Sequence, residues 1–259
     1  MSPHLRIFFP LLILAIGACA PDDSGQVPTL TVSAAANLTF AFAELAPLFE
    51  RESGIEVVLN FGSSGQLARQ IEQGAPVDLF ASANLSYIEE LEKRGLTLAP
   101  TRNLFARGQL VLWSRTDFPH PLNKAEDLLH PEIERIAIAN PDYAPYGVAA
   151  RQVLQHAGLW KKLQPRLILG QHVRQTLYYA ESGNVDVALV ALSLCRQGEG
   201  RWTPVDENLY APIYQALAVV ASTQHPEGAH RFAEFVSTPS AQAILHQYGF
   251  LPPTGLAAL

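Results

Sequence analysis

The stretch LTVSAAANL, residues 30–38, decides how this chain is read. Leu30 to Ala34 has the β-branched and apolar character of a strand, and two further alanines lead to Asn37, a residue that favours a helix N-terminus. A strand that ends in small residues and opens onto a helix is the start of a βα unit. The next strand-like run, Glu56 to Phe61, ends the same way, in Gly62-Ser63-Ser64-Gly65. Two later junctions repeat the pattern, at Asn140 to Gly147 and at Gly170-Gln171-His172-Val173.

Working outward, the apolar periodicity predicts a helix from Asn37 to about Glu52, stopped by Gly54, with Phe40, Leu45, Leu48 and Phe49 on one face. Ser64 is read as the cap of a helix carrying Leu67, Ala68 and Ile71, ended by Gly74-Ala75-Pro76. Val77 to Ala81 is a third strand, and a helix through Tyr87, Ile88 and Leu91 follows, closed by Gly95. Ile136–Ala139, Leu167–Leu169 and Val185–Leu192 read as strands, and Gly147–His156, Val173–Glu181, Gly228–Ser237 and Pro239–Gln247 as helices. Two more apolar runs, Gln109–Trp113 and Leu217–Ala221, are expected to cross between lobes. The chain then divides into one lobe of residues 28–108 and 222–259 and a second of residues 109–221. The fold class is α/β, with largely parallel sheets flanked by helices.

The repeated junction is the feature with chemical content. Each one sets unpaired backbone N–H groups at the positive end of a helix dipole, where an anion is stabilised without a cationic side chain. Ser64 and Asn37 add side-chain donors and Tyr146 a phenol, while small residues let an anion approach the backbone. In open α/β sheets such strand ends face one crevice, so the four junctions are expected to converge there. Hydrogen bonds to a charged group contribute roughly 1.5–3 kcal/mol each, so five to seven neutral donors suffice for micromolar to nanomolar binding, about −8 to −12 kcal/mol. Donors of fixed position also prefer a fully deprotonated dianion, which accepts at every oxygen.

Composition narrows the alternatives. With 259 residues, 48% of them hydrophobic, the chain can bury a sizeable core. A formal net charge of −6 argues against nucleic acid as a partner and means that an anion is not drawn in by net charge. The eight histidines show no H-x-x-x-H spacing, so no direct cation ligand is read from them. Around Ser64 the nucleophile pattern G-x-S-x-G fails, because Gln66 stands where the second glycine belongs. Asp78 is read as a structural hydrogen-bond acceptor, and Trp113, Trp160, Trp202, Tyr178 and Tyr179 as packing residues.

The N-terminus reads as an export signal: His4 and Arg6, an apolar run from Ile7 to Ala18, then Asp22, Asp23 and Ser24. Ile16-Gly17-Ala18-Cys19 resembles a lipoprotein box, in which Cys19 becomes a lipidated N-terminus, whereas Ala18-Cys19-Ala20 also fits cleavage after Ala20. Lipidation is the favoured route, because a free cysteine is otherwise unexpected there. Residues 1–19 are then the signal and 20–27 a flexible leader. Cys195 is left without a disulfide partner on either route.

Taken together, several segments resemble the periplasmic molybdate-binding proteins of ATP-driven (ABC) importers. They are Val32 to Thr39, Phe61 to Ile71, Gly74 to Ala83, Asn140-Pro141 with Pro145-Tyr146-Gly147, Val173-Arg174, and the closing Tyr248-Gly249-Phe250. The resemblance covers about Leu30 to Pro252. It implies a two-lobed periplasmic-binding-protein fold of type II that grips molybdate or tungstate in the interlobe cleft and delivers it to a membrane permease. It also implies a monomeric, non-catalytic receptor without a cofactor, held in the periplasm or cell envelope. Residue by residue, Asn37 matches a polar ligand after the first strand, Ser64 a hydroxyl ligand, and Val173 a backbone donor. Tyr146 stands where members use a backbone N–H or a tyrosine hydroxyl; Ala36 and Ser63 flank the first two positions. Many members carry a tyrosine where this chain has Ala191, so Tyr146 is expected to supply the missing hydroxyl. A sulfate, thiosulfate or phosphate receptor is the alternative, with an exported sensor or an enzyme on the same scaffold behind it.

Overall fold

A computed structural model describes residues 28–253. The expected signal, the leader and Cys19 lie outside the described residues. The first sheet begins with β1 (Thr29–Ala35), which lies parallel to β2 (Glu56–Gly62) on one side and to β3 (Leu79–Ser82) on the other. Between them run α1 (Thr39–Ser53) and α2 (Ser64–Glu72), and α3 (Leu85–Lys93) follows β3. β4 (Asn103–Gly108) is the far edge of this sheet, and β5 (Leu110–Ser114) already belongs to the second.

The second sheet repeats the construction. β6 (Ile136–Ala139), α4 (Pro145–His156), a short α5 (Trp160–Leu163), β7 (Leu167–Gly170), α6 (Val173–Glu181) and β8 (Val187–Ala191) follow in order. β6 is parallel to both β7 and β8. A short α7 (Leu192–Cys195) leads to β9 (Arg201–Pro204), which pairs with β5. β10 (Ile213–Val219), α8 (Pro226–Phe235) and α9 (Pro239–Gln247) complete the chain. The strand orders are β2-β1-β3-β10-β4 and β7-β6-β8-β5-β9.

This topology corrects the expected lobe boundary. The division at residue 221 placed Leu217–Ala221 at the end of the second lobe. Instead β10 pairs antiparallel with β3 and β4 in the first sheet, so the return crossing falls between Pro204 and Ile213. An apolar run shows that a strand is buried, not which sheet it completes. The outward crossing is a single residue, Gln109, whose carbonyl accepts from the Leu192 N–H at 3.0 Å and whose Nε2 donates to the Gly249 carbonyl at 2.8 Å.

Packing follows from the predicted faces. α1 buries Phe42, Leu45 and Phe49, and the rings of Phe42 and Phe49 meet Phe105, Phe232 and Phe235 at centroid separations of 5.0–6.1 Å. Such pairs add about 0.5–1.5 kcal/mol each beyond area burial, and they bind α1 to α8 and β4. Asp78 acts as the expected acceptor. Its Oδ2 takes the Thr31 N–H at 2.7 Å and its Oδ1 the Thr223 hydroxyl at 2.6 Å, pinning the start of β3. Tyr178 departs from its expected packing role: it is 58% exposed on the outer face of α6. No helix among the described residues is long and apolar enough to cross a membrane.

Candidate functional site

All four junctions meet at one place. A small cavity, with about 10 Å³ open to the centre of a water-sized sphere, is lined by Ala35, Ala36 and Asn37 after β1 and by Gly62, Ser63 and Ser64 after β2. From the second lobe it is lined by Ala144, Pro145 and Tyr146 after β6 and by His172 and Val173 after β7. Ala83, after β3, completes the wall. Each group sits at the C-terminal end of a parallel strand, where the chain turns into a helix directed at the cavity.

The capping roles differ from expectation in two places, with a chemical consequence in each. Asn37 does not cap α1. It lies in a 3₁₀ turn, Ala36–Leu38, that runs directly into the helix at Thr39. Its amide is thereby free for tertiary contacts: Nδ2 donates to Gln215 Oε1 at 2.9 Å and leans toward the Tyr146 hydroxyl at 3.5 Å. Ser64 does not cap α2 either. Ser63 does, its Oγ accepting from the Gln66 N–H at 3.4 Å. Ser64 Oγ instead accepts from the Ala83 N–H at 3.0 Å. A hydroxyl has one proton and two lone pairs, so both serines accept from the backbone and keep their protons to donate.

Gln215 was not singled out from the sequence. It is 0% exposed, and its Nε2 donates to the Ile213 carbonyl at 3.0 Å. That second bond fixes which end of Gln215 faces Asn37, since reversing it would set two acceptors together. The Oδ1 of Asn37 is left buried without a partner, a cost of about 1–3 kcal/mol in an ordinary core. The Tyr146 hydroxyl reaches the same network beside Gly108, where any Cβ would overlap it.

Electrostatically the lining is neutral. Among the described residues no Lys, Arg, Asp or Glu lines the cavity, and the titratable side chains in its wall are Tyr146 and His172. Burial, reinforced by nearby Tyr210, pushes the Tyr146 phenol far up, so it keeps its proton. Burial, and then the Arg174 charge, pushes His172 below the ordinary histidine value. His172 Nδ1 accepts from the Gln175 N–H at 3.1 Å and so caps α6, which places the proton of the neutral ring on Nε2. The first-turn N–H groups of α2, α4 and α6 have no partners within their helices. In α2, Gly65 N–H goes to the Tyr143 carbonyl and Gln66 N–H to Ser63; Ser64, Tyr146 and Val173, at the starts of the three helices, line the cavity wall.

The lobes touch around this site. Gly65 N–H and the Tyr87 hydroxyl both donate to the Tyr143 carbonyl, at 3.0 and 3.4 Å. Ser193 Oγ donates to the Asn37 carbonyl at 2.8 Å, and the Arg174 guanidinium lies over the Phe40 ring, 5.3 Å from its centroid. Asn37, Ser63, Ser64, Tyr146 and Val173 are all buried. Ala191 is absent from the cavity wall: it ends β8 and pairs with Leu110.

A cleft between two βα lobes, walled by neutral donors, is a fold for holding a solute, and the sequence profile of the bacterial extracellular solute-binding proteins matches residues 30–251. The chain belongs to that family. Among relatives of this solute-binding protein, the molybdate-binding protein ModA of Rhodobacter capsulatus is 34% identical over 95% of this chain and 96% of its own length. The molybdate-binding protein ModA of Escherichia coli is 30% identical over 92% of this chain and 94% of its own. The solved periplasmic molybdate-binding protein of Azotobacter vinelandii superposes with a TM-score of 0.82 at 34% identity, covering 87% of this chain and 100% of that one. The type of fold expected from the sequence is therefore the one present.

Proposed function

We propose that this solute-binding protein captures molybdate or tungstate as a dianion between its lobes and delivers it to an ABC importer. The observation that carries this reading is the convergence of the α2, α4 and α6 N-termini, with two serine hydroxyls free to donate, on one cavity that has no charged side chain in its wall. A tetrahedral dianion offers acceptors in every direction, and a ring of neutral donors satisfies it without a counter-charge. The names of relatives 34% and 30% identical over nearly the whole chain support the choice of anion.

In this reading Ser64 donates its hydroxyl and N–H, Ser63 its hydroxyl, and Val173 its N–H. Ala36 and Asn37 contribute at the head of the first junction. Tyr146 contributes its N–H, and its phenol supplies the hydroxyl that Ala191 lacks. Binding draws the lobes together, and the closed form docks on the permease. The protein acts as a monomeric receptor without catalysis or cofactor, anchored in the cell envelope through a lipid on Cys19.

Calorimetric titration with molybdate, tungstate, sulfate and phosphate tests the reading. Molybdate and tungstate are expected to bind micromolar or tighter and at least about 100-fold better than the other two, about 2.7 kcal/mol. A preference for sulfate or phosphate sinks the assignment. In Tyr146→Phe, affinity is expected to fall by about 10-fold or more, the weight of one hydrogen bond to a charged acceptor. Undiminished affinity would refute the part assigned to the phenol.

A further inference from the structure

Between β5 and β6 the chain makes a long surface connection that enters and leaves the second lobe through buried Phe118, Leu122, Leu128 and Ile133. It carries His120 near its start and His130 and Glu132 near its end. His120 Nε2 lies 2.9 Å from Glu132 Oε2. The two imidazoles stack, with centroids 3.6 Å apart and planes 34° from parallel. His130 Nδ1 accepts from the Glu132 backbone N–H at 3.3 Å. One ligand atom from each of the three side chains lies within 4.8 Å of the other two. None of the three lines the anion cavity.

We propose that His120, His130 and Glu132 form a binding site for a divalent first-row transition cation, Zn²⁺ being the natural probe. Two imidazole nitrogens and one carboxylate oxygen are a donor set that such ions take, with a fourth position left to water. The group holds one carboxylate and no lysine or arginine, so its own charge favours a cation. Ligand atoms about 2.0–2.2 Å from a metal must close up from their present spacing. Small side-chain rotations achieve this, because His120 and Glu132 are partly exposed. The cation takes the place of the proton between His120 and Glu132.

Prolines make the arrangement durable. His120 stands between Pro119 and Pro121, and Pro131 separates His130 from Glu132. Their fixed φ reduces the backbone freedom lost when the three ligands are locked together. Ligation ties the beginning of the connection to its end, so it stiffens this face of the second lobe and leaves the cleft untouched. Sequence spacing gave no cation site because the ligands are set too far apart for a single helix or turn; only the fold stacks the two rings.

The test uses untagged protein stripped of metal, titrated with Zn²⁺ by calorimetry and with Co²⁺ by visible absorption. One equivalent is expected to bind, with Co²⁺ giving d–d bands of a nitrogen and oxygen ligand field. Even groups that only support a metal ligand are worth about 10–100-fold in affinity, so His120→Ala and His130→Ala should each weaken Zn²⁺ by at least that much. Glu132→Gln should weaken it too, while molybdate affinity in all three stays at the parent value and reports an intact fold. The proposal is overturned if no saturable Zn²⁺ binding occurs, or if the double variant His120→Asn/His130→Asn binds Zn²⁺ as the parent does.

Discussion

His172 occupies two positions at once: its ring closes the cavity wall, and its Nδ1 takes the Gln175 N–H at the head of α6. The capping role needs the neutral ring, since a proton on Nδ1 would face the Gln175 N–H donor to donor. Burial first, and Arg174 second, depress its pKa in the folded protein. The sign of the linkage follows. Above the ordinary histidine value neither state is protonated and the full contribution is present. As pH falls through that value toward the lowered one, the unfolded chain binds a proton that the folded chain refuses, and stability is lost. Asparagine caps helices well and does not titrate. His172→Asn is therefore expected to lose less stability than the parent between about pH 7.5 and 5.5, read from urea midpoints. Equal losses would show that the ring contributes nothing to acid sensitivity. The site residues legible in the sequence are those whose role is local: Asn37, Ser64, Tyr146 and Val173 sit where a strand gives way to a helix. Gln215 reaches the site through sheet pairing, and no local pattern announces it.

The N-terminus of α2 is one of the places where the lobes meet. A Cβ on Gly65 would lie 2.7 Å from both the Tyr143 carbonyl oxygen and the Tyr87 hydroxyl. One of these is backbone and both belong to the contact that joins the lobes, so the closed form has no room for it. Gly65→Ala is expected to hold the lobes apart, weakening the anion by at least about 10-fold and leaving a larger radius of gyration in scattering at saturating molybdate. Parent affinity in this variant would show that the contact is dispensable. Helices α1, α2, α3, α6 and α9 were legible because glycine, proline and capping residues punctuate them. β4 and β9 were not. Asn103–Gly108 carries an arginine and no clean alternation, and Arg201–Pro204 is a half-exposed edge strand.

At the scale of the molecule the two sheets have one plan: three parallel strands, then two more joined antiparallel. The proposed anion site lies where their parallel halves face each other, so a ligand there would stabilise both lobes. At molybdate about 100 times the dissociation constant the gain is about 2.7 kcal/mol. For a chain of this size that raises the melting temperature by about 5–10 °C. Sulfate at the same concentration should raise it less, and a melting temperature indifferent to every oxyanion would overturn the proposed function. The class of fold was readable because alternating strands and helices allow few architectures. The lobe boundary was not, because strand pairing is settled by contacts distant along the chain.

That pairing also sets an order of events during synthesis. β3 finds β1 early, but its other neighbour, β10, arrives only after the whole of the second sheet has been made. The nascent first lobe therefore waits with an open, apolar strand edge, the kind of surface that invites aggregation, while the inserted lobe, whose strands lie between Leu110 and Pro204, already has all its pairing partners. The part of the chain that starts last to emerge can finish first, and the half that begins the protein needs shelter until its final strand appears.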